Sequence, residues 1–212
     1  MERMINNFSS QIADQNLQRN RDWFNEFRST DNFQRLSHEE QRAAFFVTQA
    51  FSEMNYVYFS REPKDWSVEN MKRIVGVYFP SMITALPEFF TSVGPILQAF
   101  LGFLQQTGKI KNGDELARHV RQAAKSGAHF ADFTDSWSEH KKMGMQVIDG
   151  EVKFPNKRAL ANFVADFNFG VPLVGVAEGL PEAPSNVIAF SDEQRARAKE
   201  RLEKRQESVW NR

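Results

Sequence analysis

Side chains that could ligate a metal occur along one stretch of the chain, at His129, Asp132, Asp135, Glu139 and His140. Imidazole nitrogens and carboxylate oxygens are the donors that a zinc or iron site without thiolates would use. At about 100° per residue on a helix, His129 and Asp132 fall opposite the apolar stripe of the helix predicted there. Asp135 and His140 diverge to different flanks. We therefore expect these side chains to face water, and a metal-dependent enzyme is the least favoured of three hypotheses.

A short cationic ridge lies on the same outer face of this helix, at Arg118, Arg121 and Lys125. Residues at this spacing lie in line on a helix surface. The ridge could hold phosphates if neighbouring lysines came alongside it, namely Lys109, Lys111, Lys141 and Lys142. No helix-turn-helix, RNA-binding aromatic motif or Gly-rich phosphate loop accompanies it in the sequence. A nucleic-acid-associated regulator is therefore an alternative that we do not favour.

The composition restricts the remaining chemistry. The 27 basic and 27 acidic side chains give a formal net charge of zero, which argues against a protein whose main task is to neutralise phosphates. The absence of cysteine excludes disulfides, thiolate metal sites and cysteine nucleophiles, and fits a reducing compartment. No Gly-x-Ser-x-Gly elbow accompanies the four histidines, so no catalytic residue can be named. We predict no cofactor.

Membrane and secretory signals are missing from the sequence. The first residues lack the charged, then apolar, then small-residue layout of a secretory signal. The longest apolar stretch, residues 93–104, is interrupted by Gly94, Pro95 and Gln98 and is shorter than the roughly 20 residues that a membrane span needs. The sequence thus predicts a cytoplasmic protein without membrane contact.

The spacing of apolar residues predicts an all-α fold, a compact bundle of about seven helices. Ser37-His38-Glu39-Glu40 is a capping box, and the helix that it opens should end near Phe59. Asp65-Trp66-Ser67 opens a further helix, which Pro80 ends or kinks.

Two more helix starts are predicted at prolines. Pro87 initiates a short helix, and Pro95 initiates a helix that is apolar almost all round and therefore belongs in the centre of the fold. Gly108 is placed to cap the end of that helix. The next helix carries the apolar stripe of Leu116, Val120 and Phe130 together with the ridge, and could run to about Lys142.

The last third of the chain is less regular in pattern. Residues 147–154 carry the Asp149-Gly150 signal of one short β-hairpin, and residues 156–167 have helical spacing. Residues 168–190 are rich in glycine, proline and apolar side chains, which predicts an extended covering loop. We expect residues 1–190 to form one helical domain, with residues 1–30 as an N-terminal helix packed on it. Residues 191–212 should form a separate charged C-terminal helix.

Phenylalanine is unusually common, with twenty residues against four tryptophans and three tyrosines. Because Phe has no polar atom, the excess favours ring-on-ring packing in the core. A hydrophobic ligand cavity is the less favoured interpretation of the same residues. It would be lined by Phe45, Phe46, Phe51, Phe89, Phe90, Phe100 and Phe103.

One segment resembles a known helical domain. It runs from Asp65-Trp66-Ser67 through Tyr78-Phe79-Pro80 to residues 95–104 and the following helix. It is similar to a domain of uncharacterised bacterial proteins in which a Trp-led helix ends at a Phe-Pro or Leu-Pro pair and a Pro-led helix rich in Leu and Phe follows. The resemblance covers roughly residues 65–145. It implies an all-helical bacterial module and assigns no catalytic residue.

The leading functional hypothesis is a protein-interaction or regulatory module without catalysis. The apolar residues at helical spacing are explained by packing, and the titratable side chains do not form a convergent set. A protein partner or self-association is expected, with contacts through the C-terminal helix and the Asn/Gln-rich first helix.

Overall fold

The structure is a computed structural model that describes residues 9–151, 155, 156, 159, 163, 167 and 168. The chain forms two compact units, divided between Ser138 and Glu139. All regular structure in the described residues is helical, which confirms the predicted all-α fold. No helix in this part of the chain has both the length and the apolar character that crossing a membrane requires.

The first unit contains seven α-helical segments among its described residues: α1 (Ser10–Phe27), α2 (Asp31–Gln34), α3 (His38–Phe59), α4 (Val68–Arg73), α5 (Phe79–Met82), α6 (Pro87–Gln106) and α7 (Gly113–Phe130). A π turn, Ile74–Tyr78, joins α4 to α5. In the second unit, α8 (Glu139–Gln146) is followed by a π turn, Val147–Glu151.

Helix α6 occupies the centre of the first unit and packs against α7, α3, α2 and α1. Five of its apolar side chains have no exposed surface: Ile96, Leu97, Phe100, Leu101 and Leu104. The predicted central position of this apolar segment is therefore confirmed.

Phenylalanine rings fill the space between α1, α2 and α6. Phe27 is fully buried, and its ring centroid lies 5.4 Å from that of Phe33, 5.3 Å from that of Phe100 and 5.5 Å from that of Phe103. Most of these pairs meet edge to face, the arrangement that the ring quadrupole favours. This part of the phenylalanine excess is core packing.

The predicted capping box at the start of α3 is present. Ser37 Oγ accepts from the Glu40 amide at 3.3 Å, and Glu40 Oε2 accepts from the Ser37 amide at 2.7 Å. The helix ends at Phe59, followed by Ser60 in the left-handed region at φ 51°. The sequence therefore located both ends of the longest helix among the described residues.

Replacing Ser37 with alanine should lower the free energy of unfolding by about 1 kcal/mol, because the backbone amide of Glu40 loses its acceptor, Ser37 Oγ. Urea unfolding followed by circular dichroism measures the change. Ser126→Ala is the matched control, since Ser126 is exposed inside α7 and alanine there should be neutral or slightly stabilising. Equal effects of the two substitutions would contradict the capping role.

The predicted helix start at Pro95 is wrong, because α6 runs unbroken from Pro87 to Gln106 with Pro95 inside it. Packing against α7 explains why the helix continues. A Cβ on Gly94 would lie 3.1 Å from the Cβ of Ala124, so the two helices are already in close contact at this point. This burial offsets the hydrogen bond that proline removes. Gly108 follows the helix at φ +70°, as its predicted capping role requires.

Helix α7 ends at Phe130, about twelve residues earlier than predicted. A 3₁₀ turn, Thr134–Ser136, follows, and α8 begins only at Glu139. The indole nitrogen of Trp137 donates to the Ala131 carbonyl at 2.8 Å, and the amide of Ser138 donates to the Ser81 carbonyl at 2.8 Å. These bonds hold the connection in a non-helical path.

The predicted β-hairpin at residues 147–154 is wrong over its described part, because Val147–Glu151 is a π turn that continues α8. Hairpin strands this short are not stable alone, whereas a helix adds hydrogen bonds by extending. Residues 152–154 lie outside the described residues. So do residues 1–8, almost all of the predicted covering loop 168–190, and the predicted C-terminal helix 191–212, whose boundary at residue 190 stays a prediction.

Candidate functional site

The three ridge residues lie together on the exposed face of α7. Arg118, Arg121 and Lys125 are all exposed, and Arg118 Nε donates to the Asp114 carbonyl of the same helix at 3.4 Å. None of the three forms an ion pair within the described part of the chain. The ridge is therefore a line of three cations open to solvent.

The neighbouring lysines differ in their surroundings. Lys109 Nζ lies 2.9 Å from Glu26 Oε2, and Lys142 Nζ lies 2.8 Å from Glu139 Oε1. Lys141 is buried, whereas Lys111 is exposed. Of the four, Lys111 is the one that resembles the ridge residues in being exposed and outside these ion pairs.

The candidate metal ligands are divided between separate elements. His129 ends α7 and is exposed, and Asp132 and Asp135 are exposed in the connection after it. Glu139 and His140 begin α8 in the second unit. Among the residues that the structure describes, no three histidine or acidic side chains form a group that could hold a metal ion.

The expectation that His140 faces water is wrong. Its ring stacks on Phe167, with centroids 4.1 Å apart and planes 10° from parallel. Burial lowers the pKa of His140, and a hydrogen bond with the Phe167 backbone opposes that shift. The error arose because the predicted helix was extended through residues 131–138. The direction in which His140 points was therefore calculated for a helix that already ends at Phe130.

A cluster of aromatic side chains around one arginine lies where α3 meets the π turn. We call it the Tyr–Arg patch, and its members are Tyr58, Phe59, Arg73, Tyr78 and Met82. The rings of Tyr58 and Tyr78 stack with centroids 4.6 Å apart. Phe59 lies against Tyr78 at 5.9 Å, and the hydroxyl of Tyr58 donates to Met82 Sδ at 3.0 Å.

Arg73 completes the patch and is its most exposed member. Its guanidinium carbon lies 5.0 Å from the centre of the Phe59 ring, within cation–π distance. Its Nη2 donates to the Tyr78 hydroxyl at 3.2 Å. It forms no ion pair in the described part of the chain. The charge is thus held in place by aromatic groups and has no carboxylate partner there.

The Tyr58 hydroxyl stays protonated over a wide pH range. Burial, the neighbouring Tyr78 and the charge of Glu53 together raise its pKa to about 12. A neutral hydroxyl can donate a hydrogen bond, as it does to Met82.

A second unusual feature is a polar contact between α1 and α3, which we call the α1–α3 seam. Asn16 and Asn20 of α1 are 4% and 1% exposed, and Gln49 of α3 is 5% exposed. These side chains line a cavity of about 10 Å³, which is also lined by Ala13, Leu17, Ser52, Glu53 and Tyr56. Asn16 and Asn20 therefore face inward, whereas Gln15 and Gln18 of the same helix are exposed.

A tyrosine of α3 holds the seam together at the N-terminal end of α1. The hydroxyl of Tyr56 accepts from the Ser9 amide at 2.9 Å and lies 3.2 Å from the Ser9 carbonyl oxygen. Ser9 is the N-cap of α1. On the other side, Arg19 Nη1 donates to Asn16 Oδ1 at 3.0 Å and lies 3.5 Å from Glu62 Oε2.

Glu53 carries a titratable group into this seam. Burial raises its pKa above the ordinary value of 4.5. The folded protein therefore keeps the Glu53 proton to a higher pH than the unfolded chain does. Stability contributed by the neutral carboxyl is present at low pH and is lost as the pH rises from about 4.5 through the raised pKa.

Glu53→Gln should accordingly stabilise the protein relative to the wild type at pH 7 and have less effect at pH 4. Glutamine keeps the shape and never carries the charge that burial disfavours. The measurement is the free energy of unfolding in urea at several pH values between 4 and 7. Glu115→Gln, at an exposed position of α7, is the control and should show no comparable change with pH. A constant difference between wild type and Glu53→Gln would contradict the prediction.

Sequence reasoning missed both the Tyr–Arg patch and the seam. The seam had one signal, a run of polar residues between the apolar positions of α1, but we predicted that this Asn/Gln-rich helix contacts a partner. Gln49, Ser52, Glu53 and Tyr56 lie at helical spacing on α3 and mark the matching polar face. The patch had no local signal because its members come from separate segments.

Comparison with known proteins adds no relative to this description. No protein-family model, curated protein or solved structure matches the chain.

Proposed function

We propose that this chain is a bacterial cytoplasmic protein-interaction module that binds its partner through the Tyr–Arg patch without catalysis. The observation that carries the proposal is the state of Arg73, an exposed guanidinium held by Phe59 and Tyr78 without a carboxylate within ion-pair distance in the described residues. Tyrosine and arginine are, together with tryptophan, enriched among the residues that contribute most of the binding energy at protein interfaces.

The chemistry of the patch indicates what the partner presents. A guanidinium has five donors in a planar fork, and the Tyr78 hydroxyl takes only one of them. A carboxylate can pair with the remaining donors in a bidentate manner. The adjacent rings and Val77, which is 44% exposed, provide apolar surface beside this charge. The partner is thus a protein segment with an Asp or Glu next to an apolar side chain.

A two-stage binding experiment tests the proposal. Immobilised wild-type chain captures proteins from the extract of its source cells, and a captured protein is then purified and its affinity measured by calorimetry. Arg73→Glu should weaken that affinity at least tenfold, because a bidentate pair becomes a repulsive contact. Arg73→Lys should weaken it less. Arg121→Glu reverses a charge on α7 and is the matched control, expected to leave the affinity unchanged.

Two results would contradict this function. One is a specific partner whose affinity is the same for the wild type and Arg73→Glu. The other is the absence of any saturable protein partner while nucleic acid is retained. Circular dichroism of each variant separates loss of binding from loss of folding, and the exposed position of Arg73 makes Arg73→Glu a surface change of small expected cost.

A second candidate function is binding of nucleic acid through Arg118, Arg121 and Lys125. Its support is the exposure of all three cations on one helix face without ion pairs in the described part of the chain. Each phosphate contact contributes about 0.9 to the slope of log affinity against log salt on duplex DNA. Arg121→Glu should therefore reduce both retention and the salt slope, with Arg73→Glu as the control. No retention at low salt would remove this candidate.

The charged segment 191–212 supplies a second contact in the proposed module. Its charged residues and few apolar ones suit a solvated helix that engages a partner. Removing residues 192–212 should leave the helical content of the first unit unchanged and alter oligomer size or partner capture. Light scattering and the capture experiment measure these two outcomes.

A further inference from the structure

Four buried polar atoms of the α1–α3 seam have no hydrogen-bond partner among the described residues. They are Nδ2 of Asn16, Nδ2 and Oδ1 of Asn20, and Oε1 of Gln49. All three side chains are less than a tenth exposed and line the same small cavity. Buried polar groups in folded proteins are almost always hydrogen-bonded, to protein or to ordered water. These four atoms therefore point to a bound molecule.

The number and kind of these atoms identify the molecule. Two amide groups donate and two oxygens accept, and water both accepts and donates hydrogen bonds, commonly about three and up to four in buried sites. A monovalent cation would satisfy the oxygens but face the positive ends of two NH₂ groups. An anion would satisfy the donors and repel the oxygens. Water is the small species that matches both sets.

The size of the cavity leads to the same species. Its volume is about 10 Å³, close to the ~10–15 Å³ that one buried water needs. Organic ligands occupy pockets of roughly 300 Å³ or more. The site has space for one water molecule.

The orientation of the amides supports this arrangement. Arg19 Nη1 donates to Asn16 Oδ1 at 3.0 Å, so the oxygen of Asn16 is engaged and its Nδ2 is left for the seam. For Asn20, both ends of the amide lack a partner in the described part of the chain. Exchanging its oxygen and nitrogen would still present one donor group and one acceptor. The match to water does not depend on how that amide is assigned.

We propose that the α1–α3 seam is a binding site for a single long-lived water molecule that joins the side-chain amides of Asn16, Asn20 and Gln49. The water connects the middle of α1 to α3. Further along α1, Phe24 and Phe27 make ring contacts instead.

Nuclear magnetic resonance on the full chain tests the site directly. Water-selective NOE and ROE spectra of ¹⁵N-labelled protein should show cross-peaks from water to the side-chain NH₂ groups of Asn16 and Asn20, with the signs of a long-lived complex. Ser52→Ala removes a hydroxyl that could relay magnetisation by proton exchange, and the cross-peaks should persist in it. Their absence in the wild type, or their loss in Ser52→Ala, would overturn the proposal.

Substitutions that remove the amides provide a second measurement. Asn20→Leu should lower the folding equilibrium constant about tenfold, because Gln49 Oε1 and Asn16 Nδ2 lose the water that connects them. Asn20→Leu combined with Gln49→Met should recover part of that loss, since the second substitution removes Gln49 Oε1, one of the two groups left without the water. Purely additive losses would contradict a shared water. If Asn20→Leu does not fold, the wild-type NMR result decides the question.

A cation at the same site is distinguished by salt identity. Unfolding in sodium, potassium and choline chloride at equal ionic strength should give the same midpoint if water is the ligand. A saturable stabilisation by sodium or potassium alone would overturn the proposal in favour of a cation site.

Discussion

Phe27→Ala should destabilise the first unit by about 3 to 5 kcal/mol, the cost that large-to-small changes of buried aromatic residues usually have. Phe27 has no exposed surface, and its ring contacts those of Phe24, Phe33, Phe100 and Phe103. Truncation therefore removes the ring on which aromatic contacts from α1, α6 and the α2 segment converge. Urea unfolding followed by circular dichroism measures the loss.

The matched control for this substitution is Phe133→Ala. Phe133 is 52% exposed and contacts His129 and Phe130 at ring distances of 5.5 and 5.9 Å. Its removal should change stability by about 0.5 kcal/mol or less, as at most surface positions. A comparable loss from both substitutions would show that the cluster around Phe27 is not the centre of the core.

The elements that the sequence predicted well are those whose signals are local. The capping box at Ser37 needs only four residues to be recognised, and Gly108 marks its helix end through its own backbone conformation. The apolar character of residues 96–104 likewise predicted a central helix. In each case the deciding energy comes from residues within about one or two turns.

The elements that it predicted poorly depend on contacts between distant segments. Pro95 is a strong local helix-start signal, yet the packing of Gly94 against α7 keeps α6 continuous. The early end of α7 depends on bonds such as that from Ser138 to the Ser81 carbonyl, which spans distant parts of the chain. The ridge residues lie before that end and His140 lies after it. Helical spacing therefore predicted the exposure of Arg121 correctly and that of His140 wrongly.

The candidate sites also divide into those that a local pattern predicts and those that distant segments form. The exposure of Arg118, Arg121 and Lys125 could be read from one helix. The Tyr–Arg patch requires the end of α3 to meet the π turn, and the seam requires the polar faces of two helices to meet. Neither meeting is encoded within one short stretch of sequence, so neither site could be predicted from helical spacing alone.

The close approach of α7 to the π turn identifies a position where only glycine fits. A Cβ built on Gly127 would lie well inside 3.0 Å of the Val75 carbonyl oxygen and 3.3 Å from the Cα of Gly76. Both neighbours are backbone atoms of the π turn, and they cannot move aside as a flexible side chain can. Helix α7 and this turn would have to separate to admit a methyl group.

Gly127→Ala should therefore destabilise the first unit by roughly 1 to 3 kcal/mol, even though alanine favours an isolated helix over glycine by about 0.8 to 1.0 kcal/mol. Gly102→Ala is the matched control, because Gly102 lies in α6 and a Cβ there meets nothing within 4 Å. That control should be stabilising by up to about 1 kcal/mol. The opposite signs make the comparison decisive, and urea unfolding of both variants measures it. If Gly127→Ala also stabilised the protein, α7 and the π turn would not be in the close contact that positions Arg73 and Tyr78 in the Tyr–Arg patch.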